Sequence, residues 1–147
     1  MFSEFDKLAE DAGIEKIKTI GDNYMAVSGV PTPRSNHARI AAKFALDMVA
    51  ATGRLRSRLP APFTIRVGLH SGPVMAGVIG TRKFAYDVWG DTVNIAARLE
   101  AASQPSRVLA SAATVKGLGG DYNFDGPHKI DNKEGRVLEA FFVGRHP

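Results

Sequence analysis

The sequence predicts an α/β sandwich, with helices packed on a mostly antiparallel sheet. Three observations predict it. Segments with apolar residues at helical spacing alternate along the chain with short runs that alternate every second residue. Glycine, proline and aspartate punctuate the junctions, most clearly at Gly21-Asp22-Asn23, which reads as a hairpin turn. The chain has 147 residues and is 44% hydrophobic and 23% charged, which suits one domain with a substantial core.

The elements follow in order. Phe2, Phe5, Leu8, Ala9 and Ala12 mark one face of a helix that Gly13 is placed to end. Residues 15–20 and 24–29 read as strands joined by the 21–23 turn. Pro31 and Pro33 make a loop. Asn36 can cap a long helix with Ile40, Phe44, Ala45, Met48 and Val49 inward, which stops before Pro60 and Pro62. Thr64 to His70 alternates cleanly. Ser71-Gly72-Pro73 then turns the chain, and Val74, Ala76 and Val78 continue a strand that ends at Gly80, so 64–80 reads as a strand pair. Residues 81–90 hold a short loop and strand. Asp91 is expected to cap a helix over 92–102, with Pro105 beyond its end. Val108 to Ala110 is a strand and Ser111 to Leu118 a short helix. Tyr122–Phe124 and Val137–Val143 are late strands paired across a loop at Asp131–Arg136. No repeat, low-complexity tract or linker interrupts this order.

Composition excludes several chemistries. There is no cysteine, hence no disulfide, thiolate metal site or cysteine nucleophile. No apolar run is long enough to span a bilayer, and no signal-peptide pattern opens the chain. The net charge of +4 favours polyanions in general. Only Arg54, Arg56 and Arg58 cluster, and they read as the solvated end of a helix. No aromatic-rich nucleic-acid-binding strand motif accompanies them, so no nucleic-acid partner is expected.

The most informative run is Tyr-Asp-Val-Trp-Gly-Asp-Thr-Val-Asn-Ile-Ala-Ala-Arg at 86–98. Asn94 and Arg98 stand four apart on the helix it opens, on one face and one turn apart. Such a pair suits an anion bearing hydroxyls, because arginine grips phosphate oxygens in two places while asparagine both donates and accepts. An exposed, salt-bridged helix face explains the same residues without a ligand. Asp22 is either an ordinary turn aspartate or a carboxylate able to hold Mg²⁺ against a substrate phosphate. Lys18 and Asp87 are surface charges if taken singly. Taken together they fit adenine: lysine donates to N1 and the carboxylate accepts from the N6 amino group. Guanine reverses both edges. Lys133 lies in the polar loop Asp-Asn-Lys-Glu-Gly-Arg, where a solvated lysine is the default. His70, ending a strand, reads as a packed or capping histidine. There is no Walker-type phosphate loop and no zinc pattern.

These runs resemble the class III nucleotidyl cyclases, nearest to bacterial, mycobacterial-type adenylyl cyclases, over essentially the whole chain. Glu-Lys-Ile-Lys-Thr-Ile-Gly-Asp at 15–22 is similar to the strand and turn carrying an adenine-selecting lysine and a metal aspartate. Arg66 to Gly80 is similar to the family's middle hairpin. Tyr86 to Gly90 and the following helix are similar to the segment bearing the adenine-reading aspartate, the ribose-orienting asparagine and the transition-state arginine. The resemblance implies a ferredoxin-like cyclase fold across 1–147. It implies Lys18, Asp87 and Lys133 as ATP-binding residues, Asp22 as a ligand of Mg²⁺ or Mn²⁺, and Asn94 and Arg98 as catalytic residues. It implies conversion of ATP to 3′,5′-cyclic AMP and pyrophosphate at a homodimer interface, in a cytoplasmic domain of a longer parent that could carry membrane or regulatory parts.

One segment of that pattern is missing. The family domain opens on a strand bearing the first metal aspartate, followed by Ile-x-Gly-Phe-Thr and a helix, and this sequence begins inside the next helix. The expectation is a domain lacking its first strand and helix, with little or no cyclase activity by itself. A non-catalytic cyclase-like module that binds nucleotide or dimerises is the alternative.

Overall fold

A computed structural model describes residues 2–56, 58, 63–81, 85–131 and 135–145. Helix α1 (Phe2–Ala12) buries Phe5 and Ala9. It ends at Gly13, whose φ of 72° lets the Gly13 and Ile14 amides turn back onto the Glu10 and Ala9 carbonyls. β1 (Glu15–Ile20) and β2 (Asn23–Val27) form an antiparallel hairpin with Ile20 opposite Asn23, so its turn is Gly21-Asp22. Gly21 takes the positive φ of 61° at the first central position, as two-residue hairpins favour. A bulge at Ile17 shifts the register so that Lys18 stands opposite Met25.

Helix α2 (His37–Arg56) buries a stripe of small residues, Ala38, Ala42, Ala45 and Ala51, together with Phe44 and Met48. After it come β3 (Arg66–Leu69), β4 (Met75–Ile79), β5 (Ala85–Trp89), helix α3 (Asp91–Ala102), β6 (Arg107–Ser111), the short helix α4 (Ala112–Val115), β7 (Tyr122–Asp131) and β8 (Val137–Arg145). A four-stranded sheet runs β3-β6-β8-β7, parallel at β3/β6 and antiparallel elsewhere; β4 and β5 make a separate antiparallel ladder.

The sheet is covered on both faces. Val108, Ala110 and Val143 pack against Ala45 of α2, and Leu109, Ala140 and Phe142 against Leu99 of α3. This is why Val108 to Ala110 is apolar without alternation: each residue faces one helix or the other. A third cluster joins Phe5 and Ala9 of α1 to Phe44 and Met48 of α2, with Tyr24 and Ala26 of β2 packed against it.

Three expectations change. The strand pair read over 64–80 does not form. β3 lies beside β6 and β4 beside β5, because Leu69 turns into the core while β4 stays exposed. Periodicity identifies a strand without naming its partner. Asp91 does not cap α3: Gly90 occupies that position, accepting from the Val93 and Asn94 amides, and Asp91 lies in the first turn. There its negative charge still suits the helix dipole. β7 runs seven residues past Phe124, through a bulge between Asp125 and His128 that absorbs Gly126-Pro127. A glycine–proline pair normally reads as a turn, but an edge strand tolerates it at a bulge.

Candidate active site

β1 and β5 bring Lys18 and Asp87 together across 69 positions of sequence, with Lys18 Nζ donating to Asp87 Oδ2 at 3.0 Å. The aspartate is held a second time, its Oδ1 accepting from the Val88 amide at 2.8 Å. The hydrogen bond from Lys18 holds the Asp87 carboxyl below the usual carboxylate range, and the Val88 amide adds to this, against a smaller opposing effect of desolvation. Val88 itself is buried and anchors this stretch of β5 to the core. The lysine side chain is 41% exposed and the aspartate 22%, so the pair is reachable from solvent. The ion pair is therefore a pre-set donor and acceptor that a ligand edge can insert between.

Asn94 and Arg98 project from α3 away from the face that buries Leu99 and packs Ile95. Asn94 is exposed and Arg98 half-buried. Neither side chain makes a hydrogen bond or ion pair with another of the described residues. Among the described residues no ion pair occupies these two side chains, and two polar groups stand one turn apart. Asp22 is exposed at the tip of the β1–β2 hairpin. Its carboxylate has no hydrogen-bond or ion-pair partner among the described residues, and no group of three or more His, Asp or Glu able to hold a metal occurs among them. Lys133 lies outside the described residues.

His70 behaves as a packed residue. Its Nδ1 is 2.7 Å from Ser111 Oγ, and Ser111 caps α4 by accepting from the Thr114 amide. Burial pushes the imidazole pKa down, partly opposed by the charge of Asp91. Gly68 and Thr92 are not singled out by the sequence reading, yet both set where α3 lies. A Cβ on Gly68 would stand 2.2 Å from the Glu100 nitrogen and 2.6 Å from the Ala96 oxygen, so the helix rests directly on β3. The Thr92 hydroxyl donates to the Pro73 carbonyl at 2.6 Å. An isolated glycine inside a strand is the one signal that marks the first of these.

A two-sided α/β sandwich with a lysine–carboxylate pair and an open Asn/Arg helix face is a class of domain whose exposed donors and acceptors suit a nucleotide-like anion. The comparisons agree with this class. The model of the adenylate and guanylate cyclase catalytic domain matches residues 1–144. The chain is 41% identical over 146 residues to an adenylate cyclase of Mycobacterium tuberculosis, covering 99% of this chain and 33% of that protein. It is 44% identical over 119 residues to the guanylate cyclase soluble subunit beta-2 of Rattus norvegicus, covering 80% of this chain and 17% of that one. The crystal structure of the guanylate cyclase domain of RhGC from Catenaria anguillulae, in complex with GTP, superposes with a TM-score of 0.92 at 32% identity. That match covers 99% of this chain and 80% of that one. The chain belongs to the adenylate and guanylate cyclase catalytic domain family. It spans a third or less of the length of these two curated relatives. No helix among the described residues is long and apolar enough to cross a membrane.

Proposed function

We propose that this domain is an adenylyl cyclase that converts ATP to 3′,5′-cyclic AMP and pyrophosphate. The observation that carries the choice of ATP is the Lys18–Asp87 pair at 3.0 Å. On binding, the lysine donates to adenine N1 and the carboxylate accepts from N6. Guanine would set its N1–H against the lysine and its O6 against the carboxylate. Each mismatched edge costs about 1 kcal/mol or more, or roughly 5-fold, the low end applying because water reaches Lys18.

Asn94 orients the ribose. The 3′-hydroxyl attacks the α-phosphorus, the bond to the β-phosphate oxygen breaks, and the hydroxyl proton is released to solvent. Arg98 stabilises the charge that grows on the α-phosphoryl oxygens, and no carboxylate among the described residues competes for it. Lys133 is assigned to the triphosphate. Asp22 is the one carboxylate proposed to hold Mg²⁺ or Mn²⁺. Its exposure and free oxygens fit an ion carried in on substrate phosphates, because Mg²⁺ is commonly bound through one or two carboxylates plus those phosphates and water. Such an ion would neutralise the triphosphate and polarise the attacking hydroxyl.

A second copy of the chain completes the proposed site. Met75, Val78, Ile79 and Trp89 on the β4–β5 ladder are large apolar residues left exposed, as is Ile20 on β1. Among the described residues, no side-chain hydrogen bond or ion pair ties Asp22 or Arg98 to the rest of its own chain. Both features suit an isologous dimer in which one copy supplies Asp22 and its partner Arg98.

A nucleotide-binding module without turnover is the second reading, favoured by the lack of a three-ligand metal cluster among the described residues. One experiment addresses both readings. Cyclic nucleotide formation is assayed with Mn²⁺ and either ATP or GTP, for the wild type and for Lys18→Glu combined with Asp87→Ala. The double variant should lose about 25-fold in kcat/KM for ATP, with two edges disrupted. Full retention of ATP use would refute the base-reading assignment, and nucleotide binding by a wild type that forms no product would establish the second reading.

A further inference from the structure

Helix α3 leaves β5 through Gly90, where φ is 124°. Nothing lies within 4 Å of the place a Cβ would take there, so no neighbouring side chain braces the junction, and glycine leaves it a possible swivel. The pair that reads the base lies before this swivel, at Asp87 on β5. The Asn94 and Arg98 side chains lie after it. Their separation therefore depends on what stops rotation at Gly90.

The packing of Leu99 and Ile95 on Leu109, Ala140 and Phe142 holds the body of the helix on the sheet, and two further contacts, both from the segment that runs from Gly68 to Pro73, hold it against β3 and at its start. At the far end of the helix, bare Gly68 lets the backbone of Ala96, Leu99 and Glu100 rest on β3. At the near end, Thr92 Oγ1 donates to the Pro73 carbonyl at 2.6 Å, and Gly72 leaves room for that hydroxyl, since a Cβ there would meet it at 2.7 Å. The near contact closes a small ring. Met75, two residues beyond Pro73, is the ladder partner of Trp89, the residue before Gly90. The ring thus runs from Trp89 through Gly90 and Asp91 to Thr92, across the hydrogen bond to Pro73, and back through Val74 and Met75 to Trp89. Proline's restricted φ stiffens the anchoring side.

We infer that Thr92 is a positioning residue. Its hydrogen bond to Pro73 latches α3 after the Gly90 swivel and sets Asn94 and Arg98 against the Lys18–Asp87 pair. This rests on the cyclase reading above. The ring predicts a loss confined to the geometry of reaction. A shift of about 1 Å at reacting groups can cost up to a hundredfold in rate, whereas one solvent-accessible hydrogen bond adds little to global stability.

The test compares Thr92→Val, which keeps the shape and loses the donor, with Thr92→Ser, which keeps the donor. Steady-state kinetics with ATP and amide hydrogen exchange are measured on both. Thr92→Val should lower kcat roughly 10- to 100-fold, with KM within about 3-fold of wild type. Its melting temperature should move by about 4 °C or less. Exchange should quicken at the Val93 and Asn94 amides and stay unchanged in β6 and β8. Thr92→Ser should recover both rate and protection. A Thr92→Val enzyme with wild-type kcat, a Thr92→Ser enzyme as slow as Thr92→Val, or a loss appearing in KM alone overturns the assignment. If the wild type forms no cyclic nucleotide, the cyclase reading fails separately. Exchange then decides the latch: faster at 93–94 in Thr92→Val and restored in Thr92→Ser supports it, and unchanged exchange overturns it.

Discussion

Replacing Gly68 by alanine should destabilise the domain far more than a single methyl ordinarily does. The new Cβ would lie 2.2 Å from the Glu100 nitrogen, 2.6 Å from the Ala96 oxygen and 2.8 Å from the Leu99 carbonyl carbon, where ordinary contact begins at 3.4 Å. All three atoms are backbone, so no side-chain rotation relieves the clash. The helix must lift by about 1.2 Å, or β3 must move from its parallel register beside β6. Lifting α3 draws Leu99, fully buried, away from Leu109, Ala140 and Phe142. Overpacking of this kind costs about 3 kcal/mol, the upper part of its usual range. Alanine also restricts the unfolded chain, which returns about 0.4–1 kcal/mol. The net cost of roughly 2–3 kcal/mol corresponds to a fall of about 4–12 °C in melting temperature for a domain of this size. Thermal unfolding followed by circular dichroism measures it, with Gly53→Ala as a control at a helix position where a Cβ meets nothing within 4 Å. A Gly68→Ala protein melting within 2 °C of wild type would refute the argument that α3 rests on the bare backbone of β3.

Other expectations follow from the same geometry. In Lys18→Met, the Asp87 carboxyl loses the strongest influence holding its pKa down and should titrate closer to the ordinary range; a carboxyl ¹³C NMR titration that leaves its midpoint unmoved would contradict the ion pair. Because the folded-state pKa is lowered, the pair's contribution to stability is present above the unfolded carboxylate range and is lost as pH falls through the folded value, so the wild type should lose more stability than Lys18→Met on acidification below about pH 4. For the shared site, Asp22→Ala and Arg98→Ala chains should each be nearly inactive, and mixing them should restore part of the activity, because one of the two sites in a mixed dimer is intact. Mixed dimers that form stably and stay inactive would argue for a site within one chain.

Local patterns made much of this protein legible from sequence alone. The α1 helix and its Gly13 stop, a hairpin turn at 21–23 (in the structure Gly21-Asp22, with Asn23 already in β2), the long α2 and the placement of Asn94 and Arg98 on one face of α3 all follow from spacing and turn chemistry, which act over a few residues. The motif at 86–98 and the strand at 15–22 were legible too, because they are contiguous. What required the tertiary structure is everything that joins distant segments. Lys18 and Asp87 can be proposed as a pair from sequence, but it is the approach of β1 and β5 that sets them 3.0 Å apart. Strand periodicity is the same whichever neighbour a strand takes, so the partner of β3 was decided by the helices that cover both faces of the sheet. Gly68 and Thr92 carry almost no local signal, since their significance is the height and tilt of a helix that begins more than twenty residues beyond Gly68. Short-range preferences are written in neighbouring residues; close approach between elements is set by packing across the whole core.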